Sequence, residues 1–299
     1  MTSAVRGDVR GGTRLTPLFG PAVGPEIISG HVVEGDERVL LLAGSTLVTI
    51  DLQRRTQRSN VLRLPPREDC WGLAKLSDGT LWTLMGWSTA AQLSAAGTIE
   101  RTIELPVAHL GLFGAGDRLV YQQARLPAGR PALLAGRPGE TSRSPWSDLT
   151  TRAFDDLAMG AAAALNLVGC GVGRAGEIPC WFPDEPVVSL IAEDGTTRRL
   201  ALAGLARVAP ETLINATSPP RAIRDVYVEG DGTMWVMSSG RGPVGGLSGP
   251  GGWILAQYSR RGEAIDLRLL PEPARLILRA ERGRALVLTG SGMVAEVEP

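Results

Sequence analysis

Ser77 to Gly86 read SDGTLWTLMG, and Gly230 to Ser239 read GDGTMWVMSS. Aligning the two puts Asp78 on Asp231, Gly79 on Gly232, Thr80 on Thr233 and Trp82 on Trp235. Asp-Gly is a hairpin-turn signal, and the apolar run after it has the length of a strand. The segments before the two motifs, CWGLAKL and IRDVYVE, are short and apolar-rich, so each motif is the turn of a strand-turn-strand hairpin. A third strand follows each one and ends in a turn glycine: AAQLSAAG at Gly97, ILAQYSRRG at Gly262. A fourth strand, TIERTIELP or EAIDLRLLP, closes on Leu-Pro in both cases. The chain therefore writes the same four-strand antiparallel unit at least twice.

The remaining sequence divides the same way, with a repeat of about 40 to 50 residues. Residues 28–65, 69–106, 107–147, 164–204 and 221–271 each supply four strands, the last strand of the third unit being weak. Residues 273–299 supply three, and TRLTPLF at residues 13–19 can add the missing outer strand and close a ring, removing an open sheet edge. Three stretches leave the period. Residues 147–163, where Ala, Leu and Met favour helix, predict a short helical insert. Residues 206–220 are a connector, and residues 239–252 (SGRGPVGGLSGPGG) form a Gly-rich loop insert. Gly97 follows Trp82 by 15 residues and Gly262 follows Trp235 by 27, so the insert lies between the second and third strands of the fifth unit.

The motifs SDGTLW and GDGTMW, with the glycine-punctuated strands around them, resemble six-bladed β-propellers of the NHL-like and gluconolactonase-like kind. Degenerate versions stand in other units, as GDERVLL and GDRLVY. The resemblance covers essentially the whole chain and implies an all-β fold, a single domain over residues 1–299 with six four-stranded antiparallel blades. It also implies two chemistries. Lactonases of this class hold a divalent metal in the central channel through Glu, Asn and Asp from different blades, and oxygen ligands suit a Ca²⁺-like ion. The channel polar residues here are Asp69, His109, Asn166, Arg224 and Asp225, with Asn215 a further amide. The alternative for the acids is ordinary pairing, such as Arg224 beside Asp225. Streptogramin lyases, a second propeller family that the chain resembles, use a His with a metal-bound acid. Only His31 and His109 are available, at different positions in their blades.

Composition narrows the rest. Lys plus Arg and Asp plus Glu both number 31, so no global field attracts nucleic acid or an anionic membrane. Lys75 is the only lysine, a bias that suits a GC-rich bacterial genome. No run is apolar and long enough for a transmembrane segment, and the N-terminus lacks the apolar stretch of a secretory signal. As written the protein reads as soluble and cytoplasmic, or extracytoplasmic if its start is processed or a disulfide forms. Cys170 and Cys180 flank a Gly-rich turn symmetrically, so a hairpin centred near Ala175 places them opposite each other. They are either a cross-strand disulfide, which favours an oxidising compartment, or two buried thiols.

No nucleophile elbow, P-loop or dinucleotide fingerprint is present. The reading is a non-catalytic propeller without a cofactor, a scaffold or accessory subunit whose partner is another protein. The alternative is a metal-dependent, lactonase-like hydrolase or a lyase in the channel. Trp and Arg dominate interface energetics, so Trp87, Arg241 and Trp253 are the partner-binding expectations.

Overall fold

A computed structural model describes residues 13–20, 28–34, 37–64, 69–105, 109–123, 128–140, 143–154, 162, 164–173, 176–209, 212, 221–239 and 252–298. Strand β1 is Leu15–Phe19. The first blade is β2 (Ile28–Glu34), β3 (Arg38–Ala43), β4 (Thr46–Asp51) and β5 (Thr56–Val61), and the second is β6 (Cys70–Lys75), β7 (Leu81–Met85), β8 (Thr89–Leu93) and β9 (Ile99–Glu104). The third is β10 (His109–Ala115), β11 (Arg118–Gln123), β12 (Leu133–Gly136) and β13 (Ser144–Pro145). Next come β14 (Gly169–Cys170), β15 (Val172–Gly173), β16 (Glu177–Trp181), β17 (Val187–Ala192) and β18 (Thr197–Ala201). The fifth blade is β19 (Arg221–Val228), β20 (Met234–Ser239), β21 (Trp253–Tyr258) and β22 (Ala264–Leu270). The sixth begins with β23 (Ala274–Glu281), β24 (Arg284–Thr289) and β25 (Val294–Val297). Six sheets result, each running through its strands in chain order, and β1 pairs antiparallel with β25 to make the sixth four-stranded.

Two compact units carry these sheets. The unit formed by Ala22–Leu157 and Glu193–Thr196 holds blades one to three. Its core follows from strand alternation on β7: Leu81 and Met85 join Leu40, Leu42 and Leu47 of the first blade, whereas Trp82 and Leu84 join Leu112, Leu119 and Tyr121 of the third. Strands β3 and β7 are buried on both faces. The outermost strands β5 and β9 are mostly exposed and carry charge, which blunts their unpaired edges.

In the other unit, formed by Met1–Pro21, Ala158–Ala192 and Thr197–Pro299, the same alternation recurs on β20. Met234 and Val236 cluster with Trp181, Val188 and Leu190 of the fourth blade, and Trp235 is fully buried on the opposite side of its strand. The two opening motifs build the same turn. The N–H of Leu76 donates to the Thr80 carbonyl (3.0 Å) and that of Gly79 to the Leu76 carbonyl (2.9 Å); Glu229, Thr233 and Gly232 repeat this at 2.8 and 2.9 Å. Gly79 and Gly232 sit at φ +86° and +85°, where a side chain would be strained. Asp78 and Asp231 accept the N–H of Thr80 and Thr233 through their carboxylates, fixing the turn.

The six blades each have the four antiparallel strands expected, and blade five carries one addition: β15 is a fifth, two-residue strand running parallel to β19, because the chain changes sheets at Gly171. One expectation is corrected: residues 147–154 of the expected helical insert are not helical, and Pro131 and Thr150 form an antiparallel bridge while the N–H of Ala132 donates to the Leu149 carbonyl (2.8 Å). Cross-strand pairing outweighs the helical preference of the composition there. Helical backbone appears at Ala162, Ala164 and Leu165. The Gly-rich insert, apart from Ser239 and Gly252, lies outside the described residues, as do Asn215 and Arg241; the insert's ends are held together by the pairing of Ser239 with Trp253.

Candidate functional site

The fifth blade brings two arginines to one place through a bulge. Along β19 and β20, Arg221 pairs with Ser239 but Asp225 pairs with Met237, so four residues of one strand advance against two of the other. Such a bulge re-aims side chains. Arg224 Nε donates to Ser239 Oγ, and Arg221 N–H donates to the same oxygen at 3.3 Å. The Arg224 guanidinium lies 4.9 Å from the centre of the half-buried Trp253 indole. Burial, and secondarily the neighbouring charge of Arg221, lowers the Arg224 pKa to about 10, so it remains cationic at neutral pH. Neither Thr212–Arg224 nor Ser239–Trp253 contains an Asp or Glu. The adjoining acids come from the loop after β16: Ala222 N–H donates to the Pro183 carbonyl, and beyond it Asp184 and Glu185 pair with Arg207 at 3.4 Å each.

Asp225, next in sequence, points the other way and is 2% exposed. One carboxylate oxygen accepts the Val226 N–H (2.9 Å) and the other the Ile277 N–H of β23 (2.7 Å). Burial pushes its pKa up to about 7 against the opposing pull of those two amides. Its oxygens join blade five to blade six.

In the other unit, His109 is fully buried at the start of β10, its N–H donating to the Trp87 carbonyl at 2.7 Å. Its imidazole lies 5.0 Å from the Tyr121 ring, over which the Arg143 guanidinium sits at 4.6 Å. Burial and then Arg143 lower its pKa to about 4, leaving it neutral. Trp87 is 53% exposed and lies against Trp71, with centroids 6.2 Å apart. Asp69 is exposed, and its carbonyl accepts the Gly86 N–H; Asn166 is half-buried in the turn after the short helix. Cys170 and Cys180 are directly paired on β14 and β16, their Cα atoms 4.1 Å apart, and form a disulfide.

Among the described residues, no three His, Cys, Asp or Glu side chains form a group that could hold a metal ion. Asp225 has both oxygens engaged by backbone amides and His109 is faced by Arg143, so neither fits the role of a cation ligand. Of the two expectations for Arg224 and Asp225, channel residues or an ordinary ion pair, the pair is not formed: they lie on opposite faces of β19, Arg224 on Ser239 and Trp253 and Asp225 on two backbone amides.

No protein-family model matches the chain, and no curated protein does. Among solved structures it is similar to a member of the duf4221 family from Bacteroides vulgatus, at 9% identity over 97% of this chain and 96% of that one, with a TM-score of 0.60. It is similar to a regucalcin described as a calcium-binding protein, from Agrobacterium tumefaciens, at 9% identity over 95% and 93%, with a TM-score of 0.53. A catalytically inactive virginiamycin B lyase from Staphylococcus aureus, solved with quinupristin, matches at 11% identity over 90% and 80%, with a TM-score of 0.52. The chain is a six-bladed β-propeller. At these identities the likeness to regucalcin and to the lyase is one of fold.

Within the propeller, Trp87 and the Gly-rich insert occupy the same position in their blades, between the second and third strands. The sequence reading missed Arg221 and Ser239. Alternation puts residues 221 and 224 on opposite faces of a regular strand, and only the bulge reunites them. Arg143 and Tyr121, around His109, carried no motif at all.

Proposed function

We propose that the protein is a non-catalytic β-propeller that binds another protein through the corner of blade five where Arg221, Arg224, Ser239 and Trp253 meet. The observation that carries this reading is the Arg224 guanidinium held between Ser239 and the Trp253 indole, beside a second arginine. Arginine and tryptophan are the residues on which interfaces concentrate their energy. A guanidinium already fixed by a hydrogen bond and an aromatic face loses less conformational freedom on docking than a free one. Two neighbouring arginines select a partner that presents carboxylates, which accept paired N–H bonds from guanidinium groups. The Cys170–Cys180 bridge supports an oxidising compartment.

The test is chemical crosslinking in the cells that make the protein, followed by affinity measurement with the partner recovered. Arg224→Ala and Trp253→Ala should each weaken that partner's binding by roughly 30-fold, the scale of a 2 kcal/mol hot spot. Full retention of binding by both variants, or recovery of the wild type only as a lone monomer, would overturn the reading. Calcium titration followed by calorimetry tests the lactonase-like alternative: saturable binding of one ion with lactone turnover would replace the scaffold reading.

A further inference from the structure

Residues 169–173, Gly-Cys-Gly-Val-Gly, serve two sheets at once. Gly169–Cys170 run antiparallel to β16 in blade four, while Val172–Gly173 run parallel to Tyr227 and Val228 of β19 in blade five. Gly171 joins the two and donates its N–H to the Pro179 carbonyl at 2.9 Å. The ribbon has no room for side chains on its glycine face. A Cβ on Gly171 would stand 2.0 Å from the Val226 carbonyl oxygen, and one on Gly173 would stand 1.6 Å from that of Glu177. Two pairs of two-residue strands are a weak hold, with few hydrogen bonds each to resist fraying. The covalent hold is the Cys170–Cys180 disulfide, on the ribbon itself.

We propose that this disulfide is a redox latch on the seam between blades four and five: closed, it keeps β15 seated against β19; opened by a dithiol reductant, it frees the ribbon while the blades stay folded. The two sulfurs differ in access. Cys170 is half-buried, whereas Cys180 is fully buried. The incoming thiolate therefore attacks Cys170 Sγ and forms a mixed disulfide, while Cys180 Sγ leaves as a thiolate and takes a proton. The reductant's second thiolate then displaces Cys170, which is protonated in turn. The net products are two protein thiols and one oxidised dithiol. Cys70, the remaining cysteine, is buried in the core shared by blades one and two and is not part of the exchange.

The consequence reaches the binding corner, because β19 also carries Arg221 and Arg224. That coupling rests on the function proposed above; the latch itself does not, and it is tested with no partner present. Hydrogen exchange by mass spectrometry on the full chain, before and after dithiothreitol, reads it directly. Labelling the unfolded protein should find one free thiol before reduction and three after. Peptides covering residues 169–173 and 221–228 should exchange at least tenfold faster once reduced, with β7 and β24 unchanged. Cys170→Ser with Cys180→Ser should show the fast pattern from the start and ignore dithiothreitol. If that variant does not fold, the wild-type pair of measurements still decides. Three free thiols before reduction, unchanged exchange at the seam, or acceleration spread over the whole chain would each overturn the latch.

Discussion

Blades two and five begin from the same written turn and end as different surfaces. Their buried halves agree: Trp82 and Trp235 are 1% and 0% exposed, each on the second strand and each under an arginine, Arg101 at 6.0 Å and Arg268 at 5.3 Å. Their outer corners diverge. Extending the alignment backwards sets Trp71 opposite Arg224 and Gly72 opposite Asp225. Blade two uses its position to lay Trp71 on Trp87, making an apolar corner that leaves Trp87 half exposed. Blade five lays Arg224 on Trp253, making a cationic one. The turn is constrained by backbone geometry and the core by volume, so both are kept; the corner answers to neither and is free to differ.

The largest expected effect breaks the buried half of the comparison. Trp82→Ala and Trp235→Ala should each cost about 3–5 kcal/mol in denaturant unfolding, as loss of a fully buried large aromatic does. Trp235→Ala should be the costlier. The indole N–H of Trp235 donates to the Glu229 carboxylate at 2.7 Å, and removing it leaves Glu229 without that donor; the Trp82 indole donates only to the local Thr80 hydroxyl at 3.1 Å. Equal losses would show that the two blades are energetically interchangeable.

The second test concerns the residue that blade two lacks. Asp225 is pushed from its ordinary value of 3.8 up to about 7, so between those values the folded protein holds a proton that the unfolded chain has released. Stability from this group is therefore present in full below about pH 4 and is lost as pH rises through 7, by up to a few kcal/mol. Urea midpoints taken from pH 5 to 8 should fall with rising pH, and Asp225→Asn should flatten that component. Midpoints whose pH dependence from 5 to 8 is the same in the wild type and in Asp225→Asn would show that the two amide bonds dominate and that the carboxylate is already ionised over that range.

The smallest effects belong to the corners. Trp87→Ala should cost about 0.5–1.5 kcal/mol, the scale of one aromatic pair, and Arg224→Ala about 0.5–2 kcal/mol, the scale of a partly desolvated cation on an indole. Thermal unfolding of the two variants measures both. A loss at Arg224 as large as that at Trp235 would make the blade-five corner part of the core and not a surface for a partner.

Much of this architecture was legible. Alternation along LWTLM and MWVMSS, the glycine of each turn and the closing Leu-Pro mark strands because each is a local property of a pleated, half-glycine-punctuated chain. The opposition of Cys170 and Cys180 was also legible, since two residues equidistant from a hairpin turn must face each other. The site was only half legible. Trp253 and Arg224 could be picked out as residue types, but their contact could not, because it depends on a bulge that breaks the period of two. Gly171 and Gly173 looked like turn residues, whereas they are the face of a ribbon pressed against carbonyl oxygens of two blades.

The sequence by itself determined the repeated unit and the strand count of most blades, because turn chemistry and side-chain alternation act over a few residues. Tertiary structure alone decided that Asp225 joins two blades, that β15 changes sheets and that two arginines converge on Ser239. Those outcomes depend on which backbone groups are left unpaired when sheets meet, and no local pattern records that.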